Sequence, residues 1–396
     1  MHLGCGCSNA RGICAQLIDA ETGFRKWNET YDRQLTDIFA VQDEIGRAIA
    51  KELEVLVTAQ PLAEQSTTDP QAYALVLKGR QVNRTQGGSA SGRITEAEGL
   101  FEQALARDST YAAAWAEMAN VYWRKAYFGT VPTDQVAPAW ERARQTAQKA
   151  LALNPDAGAA HYALSVVAQT YDQDYQAAVE HLERALDANP SDARARSFYG
   201  WSLLRLGRTQ DALAAAKRAA ALDPLSPGVL NNASAVYYYG RRFAQAADLM
   251  RAALALIPES AAIHTNLGLI LVEMGQYNAA IAEAKQALRT DSTLSVARGA
   301  LAYAYARSGQ EDAARRVLGQ LPRTEYMRRA TVQLALNDTD AALDLLEQAV
   351  DARDPHVADI GMEPAWAELH DNPRFQQIID RLGLTVIDPA LPDPSD

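Results

Sequence analysis

The 396-residue sequence predicts a mostly α-helical solenoid of about eight stacked helix hairpins, preceded by a small α/β segment made of one β-hairpin and one helix. Three observations predict it. Turn-like segments return every 34 or 35 residues between positions 151 and 292. Small residues recur within each period at fixed places. Before residue 58 the apolar pattern differs, alternating first with the period of a strand and then with that of a helix.

The repeated turns are LALNPDA (151–157), LDANPSDA (186–193), ALDPLSP (221–227) and ALIPES (255–260), with Pro155, Pro190, Pro224 and Pro258 spaced by 35, 34 and 34 residues. Ser292 stands 34 residues further on. The residue before a proline disfavours the helical conformation, so each marks where a helix ends. Four positions recur: a small residue in the first helix, an alanine opening the second, a residue four later that is often large, and a further alanine. Aligned on Pro224 they are Gly200, Ala212, Ala216 and Ala219. On Pro258 they are Ser234, Ala246, Met250 and Ala253; on Ser292, Gly268, Ala280, Ala284 and Ala287; on Pro190, Ala178, Leu182 and Ala185. Two helices approach closely only where side chains are small. The second helix of each unit carries an i, i+3, i+4 apolar stripe, as in Ala246, Leu249, Met250, Ala253 and Leu254. Gly207, Gly240, Gly275 and Gly309 stand where first helices stop, as C-terminal caps. A hairpin of this kind leaves one apolar face bare, and stacking covers it.

Period and internal pattern together resemble the tetratricopeptide repeat. The resemblance implies a right-handed solenoid in which the first helices line an inner groove. The array is expected over residues 70–354, opening with a first helix at 72–83 and a second at 94–110 that carries Ala97, Phe101 and Ala104. Insertions fall at TQGGSASG and near YFGTVPTDQ; a truncated unit runs from Arg298 to Leu318, and a further unit from Tyr326 to Asp354. Residues 355–384 read as C-terminal capping helices, 61–69 as a linker, and 1–12 and 385–396 as disordered.

Residues 13–60 are the α/β segment. QLIDAETGFRKWNETYD (16–32) has hairpin chemistry, apolar runs joined by a turn at Glu21-Thr22-Gly23. A helix follows, capped by Thr36 or Asp37 and striped by Ile38, Val41, Ile45, Ile49 and Leu53. This arrangement resembles the last portion of the TolB-amino-terminal-like (FlgO-like) α/β domain, and E-P-x-W…D-N-P-R-F near the end resembles the C-terminus of the same multidomain bacterial regulators. In those relatives a class III adenylate/guanylate cyclase domain or a winged-helix domain stands upstream. The resemblance implies that the hairpin is a remnant of a larger sheet, from a truncated or miscalled start, or that it folds back on the first repeats. An isolated hairpin is marginal in water, so Phe24, Trp27 and Tyr31 on an unpaired edge invite self-association.

A net charge of −11 argues against gripping nucleic acid or anionic membrane over a broad surface. The pairs Arg241-Arg242, Arg315-Arg316 and Arg328-Arg329 read as solvated helix faces. No apolar run is long enough to span a bilayer and no secretory leader is evident, which gives a cytoplasmic location, or a periplasmic or membrane-attached one if the start is miscalled. Cys5, Cys7 and Cys14 match no standard zinc spacing. His161, His181, His264 and His356 fall at separate helix positions, and Asp172 and Asp174 read as a turn. No nucleotide-binding, hydrolase or metalloprotease motif occurs, so no enzyme activity, cofactor or metal is expected.

What remains is a groove for a protein or peptide partner. Its expected residues are Tyr162, Gln169, Arg194, Ser197, Trp201, Arg205, Asn231, Tyr238, Thr265, Asn266, Tyr303 and Arg307, with the small Gly200 and Ala235 leaving room between them. Interleaved aromatic, Arg and Asn side chains suit an extended peptide, Asn bonding its backbone and Arg a carboxylate. The sequence therefore reads as a non-catalytic interaction scaffold in bacterial signalling. The alternative is the sensory or regulatory fragment of a cyclase or winged-helix regulator whose effector domain lies outside this chain.

Overall fold

The computed structural model describes residues 2–3, 13–18, 25–31, 67–84, 90–352, 354–384 and 386. The chain divides into two compact units, residues 1–190 and 191–396.

The first unit contains a three-stranded antiparallel sheet: β1 (His2–Leu3), β2 (Ile13–Ile18) and β3 (Arg25–Tyr31), in the order β1-β2-β3. β2 and β3 pair from Ile13↔Tyr31 to Leu17↔Trp27, and a register shift follows between Leu17 and Ile18. The expected hairpin is therefore present, and its sheet partner is a strand at the very start of the chain, within the stretch expected to be disordered. The expected turn at Glu21-Thr22-Gly23, the helix over 36–57, Cys5 and Cys7 lie outside the described residues.

Three helix hairpins follow in the first unit: α1 (Pro70–Arg84) with α2 (Ala90–Arg107), α3 (Ala112–Tyr127) with α4 (Val136–Leu153), and α5 (Gly158–Val167) with α6 (Tyr175–Ala188). The second unit holds five. They are α7 (Ala193–Arg205) with α8 (Thr209–Leu222), α9 (Pro227–Tyr239) with α10 (Phe243–Leu256), α11 (Ala261–Glu273) with α12 (Tyr277–Thr290), α13 (Ser295–Arg307) with α14 (Glu311–Leu318), and α15 (Tyr326–Ala335) with α16 (Thr339–Asp351). Two 3-10 turns, Pro355–Asp359 and Pro364–Leu369, and the helix α17 (Pro373–Leu382) complete it.

The repeat period is visible as a repeated connection. α4, α6, α8, α10 and α12 each end two residues before Pro155, Pro190, Pro224, Pro258 or Ser292, and the next helix starts three residues later. Asp192, Ser226 and Ser260, spaced by 34, each cap the next helix by accepting a backbone N–H through the side chain. A second device recurs in the same turns. Trp115 Nε1, His161 Nε2, His264 Nε2 and Arg298 Nη2 each reach the carbonyl six residues earlier, at 2.6–3.0 Å. Three kinds of side chain, Trp, His and Arg, thus satisfy the same turn carbonyl in four repeats.

Of the predicted caps, Gly207, Gly275 and Gly309 are left-handed. Gly240 is not: its φ is −78°, and Arg241 takes the left-handed place at φ 60°. Gly240 sits in a tight place, where a Cβ would lie 3.0 Å from the Val236 carbonyl and 3.1 Å from Leu213. The extra residue of the Asp172–Asp174 turn is absorbed by a π-helical turn (Ala168–Asp172) and a left-handed Gln173. There Asp172 pairs with Arg144 and Asp174 caps α6, so the turn reading accounts for both.

The small positions face their partner helices as expected. Gly200 sits against the Ala212 carbonyl and Ala215, and Ala212, Ala216 and Ala219 are fully buried. Gly79, which the sequence reading did not single out, is packed under the Phe101 ring, where a Cβ would lie 2.4 Å from a ring carbon. Gly99 on α2 has open space. Gly79→Ala is expected to destabilise the first unit by about 1–3 kcal/mol through overpacking. Gly99→Ala should be neutral or stabilising by up to about 1 kcal/mol, since a glycine is removed from a helix interior. Urea unfolding of the two variants checks both signs.

Candidate functional site

The second unit brings four first helices and the C-terminal segment around one cavity of ≈380 Å³. α9 contributes Asn231, Ala235, Tyr238 and Tyr239; α11 contributes Asn266 and Leu269; α13 contributes Val296, Gly299 and Tyr303; α15 contributes Met327, Arg328 and Thr331. The opposite side is His356, Asp359, Ile360, Glu363, Ala365 and Trp366. The segment read as a terminal cap therefore does more than close the stack: it lies across the face expected to be an open groove.

Two anchors hold it there. Arg205 at the end of α7, with a side chain only 5% exposed, donates from Nη1 to the Ala358 carbonyl at 2.7 Å and to the Asp359 carboxylate. Tyr238 donates its hydroxyl to Glu363 Oε1 at 2.6 Å, and Tyr239 also hydrogen-bonds Glu363. Below them Trp366, fully buried, stacks on Phe375 of α17 at 5.9 Å. The proline residues Pro355 and Pro364 start the two 3-10 turns, where a missing N–H costs nothing.

Burial sets the electrostatics. It pushes the half-buried Glu363 carboxyl up to about 7, opposed by the Tyr238 hydrogen bond and reinforced by the Glu273 carboxylate. It also raises Asp359, which the Arg205 guanidinium opposes. Tyr238 and Tyr303 are held well above the ordinary phenol range by burial and by nearby carboxylates. Arg328 is lowered by burial; it pairs with Glu325 and places Nη2 3.3 Å from His356 Nε2.

The twelve expected groove residues separate into distinct environments. Asn231 and Asn266 line the cavity, joined by a 2.8 Å bond from Asn266 Nδ2 to Asn231 Oδ1, and Tyr238 and Tyr303 line it with them. Tyr303 donates to Glu273 at 2.7 Å and accepts from Arg307, whose side chain is exposed. Arg205 is committed to the C-terminal segment, and the half-buried Trp201 lies edge-on to Tyr239 at 5.3 Å. Ser197 and Thr265 do not reach an open surface. Both are buried and bond their own helix carbonyls, Arg194 and Ala261, because a short hydroxyl in a packed helix satisfies itself that way. Arg194 is exposed in the first turn of α7. Tyr162 and Gln169 belong to the first unit and are buried, Tyr162 against Trp123.

Sequence reasoning missed three things here. Arg328 and Arg329 are half-buried and bonded, not a solvated face. Glu363, Asp359 and Trp366 were read only as parts of a cap. His161 and His181, read as separate, meet across the α5–α6 hairpin with their Nδ1 atoms 3.1 Å apart, and burial lowers the pKa of both. Among the described residues no group of three or more His, Cys, Asp or Glu side chains could hold a metal ion, and no helix is long and apolar enough to cross a membrane.

Models of the tetratricopeptide repeat match residues 171–227, 234–295 and 271–333. The hairpins within 171–227 and 234–333 thus match the tetratricopeptide repeat. Over 117 residues, 29% of its length, the chain is 38% identical to a Rhizobium meliloti (strain 1021) protein named "Putative adenylate cyclase 3". The match spans only 19% of that relative. Among solved structures, a chain of the APC/C hetero-tetramer Cut9-Hcn1 has a TM-score of 0.50 at 16% identity, covering 80% of this chain and 53% of that one, a likeness of fold alone. The Pseudomonas aeruginosa pilF structure has a TM-score of 0.45 at 21% identity, covering 58% of this chain and 99% of that one.

The carboxyl at Glu363 dictates a pH dependence. Its folded pKa of about 7 lies above the ordinary 4.5, so the docked segment binds the proton more tightly than the free one. Its contribution is full below about 4.5 and is lost as pH rises through about 7, with an upper bound of about 3 kcal/mol. Amide exchange in 355–369 is expected to be faster at about pH 8 than at about pH 5 after correction for intrinsic rates, and Glu363→Gln should flatten the difference.

Proposed function

We propose that this chain is a non-catalytic scaffold that captures protein or peptide segments on the first-helix faces of its tetratricopeptide hairpins, in a bacterial signalling or regulatory pathway. The observation that carries this reading is that such a face already holds a peptide segment of the chain itself. Arg205 takes a carboxylate and a carbonyl, and Tyr238 takes a second carboxylate. These are the bonds an incoming acidic peptide would make. Arg194 and Trp201, earlier on the same helix α7, extend this face beyond the docked segment. The TolB-amino-terminal-like reading of residues 13–60 is part of the proposal and is supported by the β2–β3 pairing.

A second reading is favoured by the 38% identity to the Rhizobium protein: the repeats serve as the regulatory part of a cyclase-type multidomain protein. The two readings share the scaffold role and differ in what is attached to it.

Affinity capture from bacterial cells, followed by calorimetry with each purified candidate, tests the scaffold. A partner should bind the wild type and bind Arg194→Glu/Trp201→Ala at least about tenfold more weakly, a loss of about 1.4 kcal/mol. Equal binding by the double variant overturns the face assignment. Incubation with Mg-ATP or Mg-GTP should yield no cyclic nucleotide; turnover by this chain would contradict the non-catalytic reading.

A further inference from the structure

The α5–α6 hairpin carries a contact that the proposed capture of partners does not use. His161 on α5 and His181 on α6 bring their Nδ1 atoms to 3.1 Å, with ring centroids 5.3 Å apart. The neighbours fix where the protons sit. His161 Nε2 lies 3.0 Å from the Pro155 carbonyl, which can only accept, so the single proton of neutral His161 is on Nε2. Its Nδ1 is then a lone pair, and His181 donates to it from Nδ1–H.

A first added proton goes to His181 Nε2 and leaves this bond in place. A second has only His161 Nδ1 to go to. It would set two N–H groups head to head and bring two imidazolium charges into contact. Burial already lowers the pKa of both rings. Arg184 on α6 opposes a charge on His161, whereas Asp156 in the preceding turn favours it, and Glu180 on α6 favours one on His181. Among the described residues, α3 and α4, which pack against α5, bring no charged group to bear on either ring, and neither does the Arg144–Asp172 pair at the π-helical turn.

A later repeat supplies the comparison. Alignment on the repeat prolines and alanines places His264 where His161 stands and Glu283 where His181 stands. His264 makes the same bond to the carbonyl six residues earlier, at Pro258, and its Nδ1 meets the Glu283 carboxylate at 2.5 Å. An imidazole facing a carboxylate gains an opposite charge when it is protonated; an imidazole facing a protonated imidazole gains a like one.

We propose that the His161–His181 contact is a pH-sensitive joint of the α5–α6 hairpin, closed while one ring is neutral and opened by the second proton as the solution turns acidic. Both folded pKa values lie below the ordinary 6.5, so the contribution of the contact is full above about 6.5 and is lost as pH falls through the folded values.

The full chain serves for the test. At about pH 7.5, imidazole nitrogen NMR should show His161 as the Nε2–H tautomer and His181 as the Nδ1–H tautomer, each assigned by its loss in His161→Gln or His181→Gln. Amide exchange in residues 158–188, corrected for intrinsic rates, should be at least about threefold faster at about pH 5 than at about pH 7.5. His181→Gln, which cannot take a charge, should bring that ratio close to one. His181→Glu copies the His264–Glu283 pair and should invert the ratio, with slower exchange at about pH 5. If His181→Glu does not fold, the comparison of wild type with His181→Gln decides alone. A proton on His181 Nε2 alone at about pH 7.5, a wild-type ratio near one, a ratio unchanged in His181→Gln, or an uninverted ratio in folded His181→Glu overturns the proposal.

Discussion

The hairpins at the centre of the repeat array depend on a backbone-to-backbone approach that only very small side chains permit. In three of the hairpins the residue where the first helix crosses the second is Gly200, Ser234 or Gly268, and in the first hairpin Gly79 makes room for the Phe101 ring. Gly200 and Gly268 lie against the carbonyls of Ala212 and Ala280, and Ser234 uses its hydroxyl to bond the Ala246 carbonyl at 2.9 Å. A larger side chain at these places would spread the pair and interrupt the apolar face that the next hairpin covers. Everything built on the first helices inherits that spacing. Asn231 and Asn266, 35 residues apart, meet because two successive crossings place them side by side.

The same spacing makes the first helices of the second unit a receptor for the end of the chain. Two carboxylates of the C-terminal segment, Asp359 and Glu363, meet a guanidinium on α7 and two phenols on α9. The two anchors respond differently to their surroundings. Asp359 has a permanent cation to oppose the cost of burial, whereas Glu363 has only hydrogen bonds, and so its carboxyl rises to about 7. A face that holds an acidic segment of its own must release it, or share the face with it, before accepting a similar segment from elsewhere. Under the proposed scaffold role, that competition would link partner capture to the C-terminal segment.

Much of the fold was legible in the sequence because it is written in a period. Proline or serine two residues past five of the second helices, a capping Asp or Ser directly before three of the helices that follow, and small residues at the crossings are local signals, and the structure repeats them at the same intervals. Gly240 shows the limit. Its position in the repeat pointed to a left-handed cap, but the helix continues through Gly240, whose N–H bonds the Val236 carbonyl, and the left-handed residue is Arg241. The site was legible only in part. Tyr238, Asn231, Asn266 and Tyr303 could be placed on the first-helix face from register alone. That Arg205 meets Asp359, 154 residues away, follows from a chain reversal after α16 that carries no periodic signal. Ser197 and Thr265 were misjudged as exposed because register gives the face of a helix and not the depth of packing against it.

The central claim is that residues 355–369 are held on the first-helix face of the second unit through Arg205 and Asp359. A double-mutant cycle of Arg205→Met and Asp359→Asn, read by urea unfolding, tests it most directly. The account predicts a coupling energy of about 0.5–3 kcal/mol, as for residues in direct contact. Additivity within about 0.3–0.5 kcal/mol would mean that the two side chains do not meet, and would contradict it.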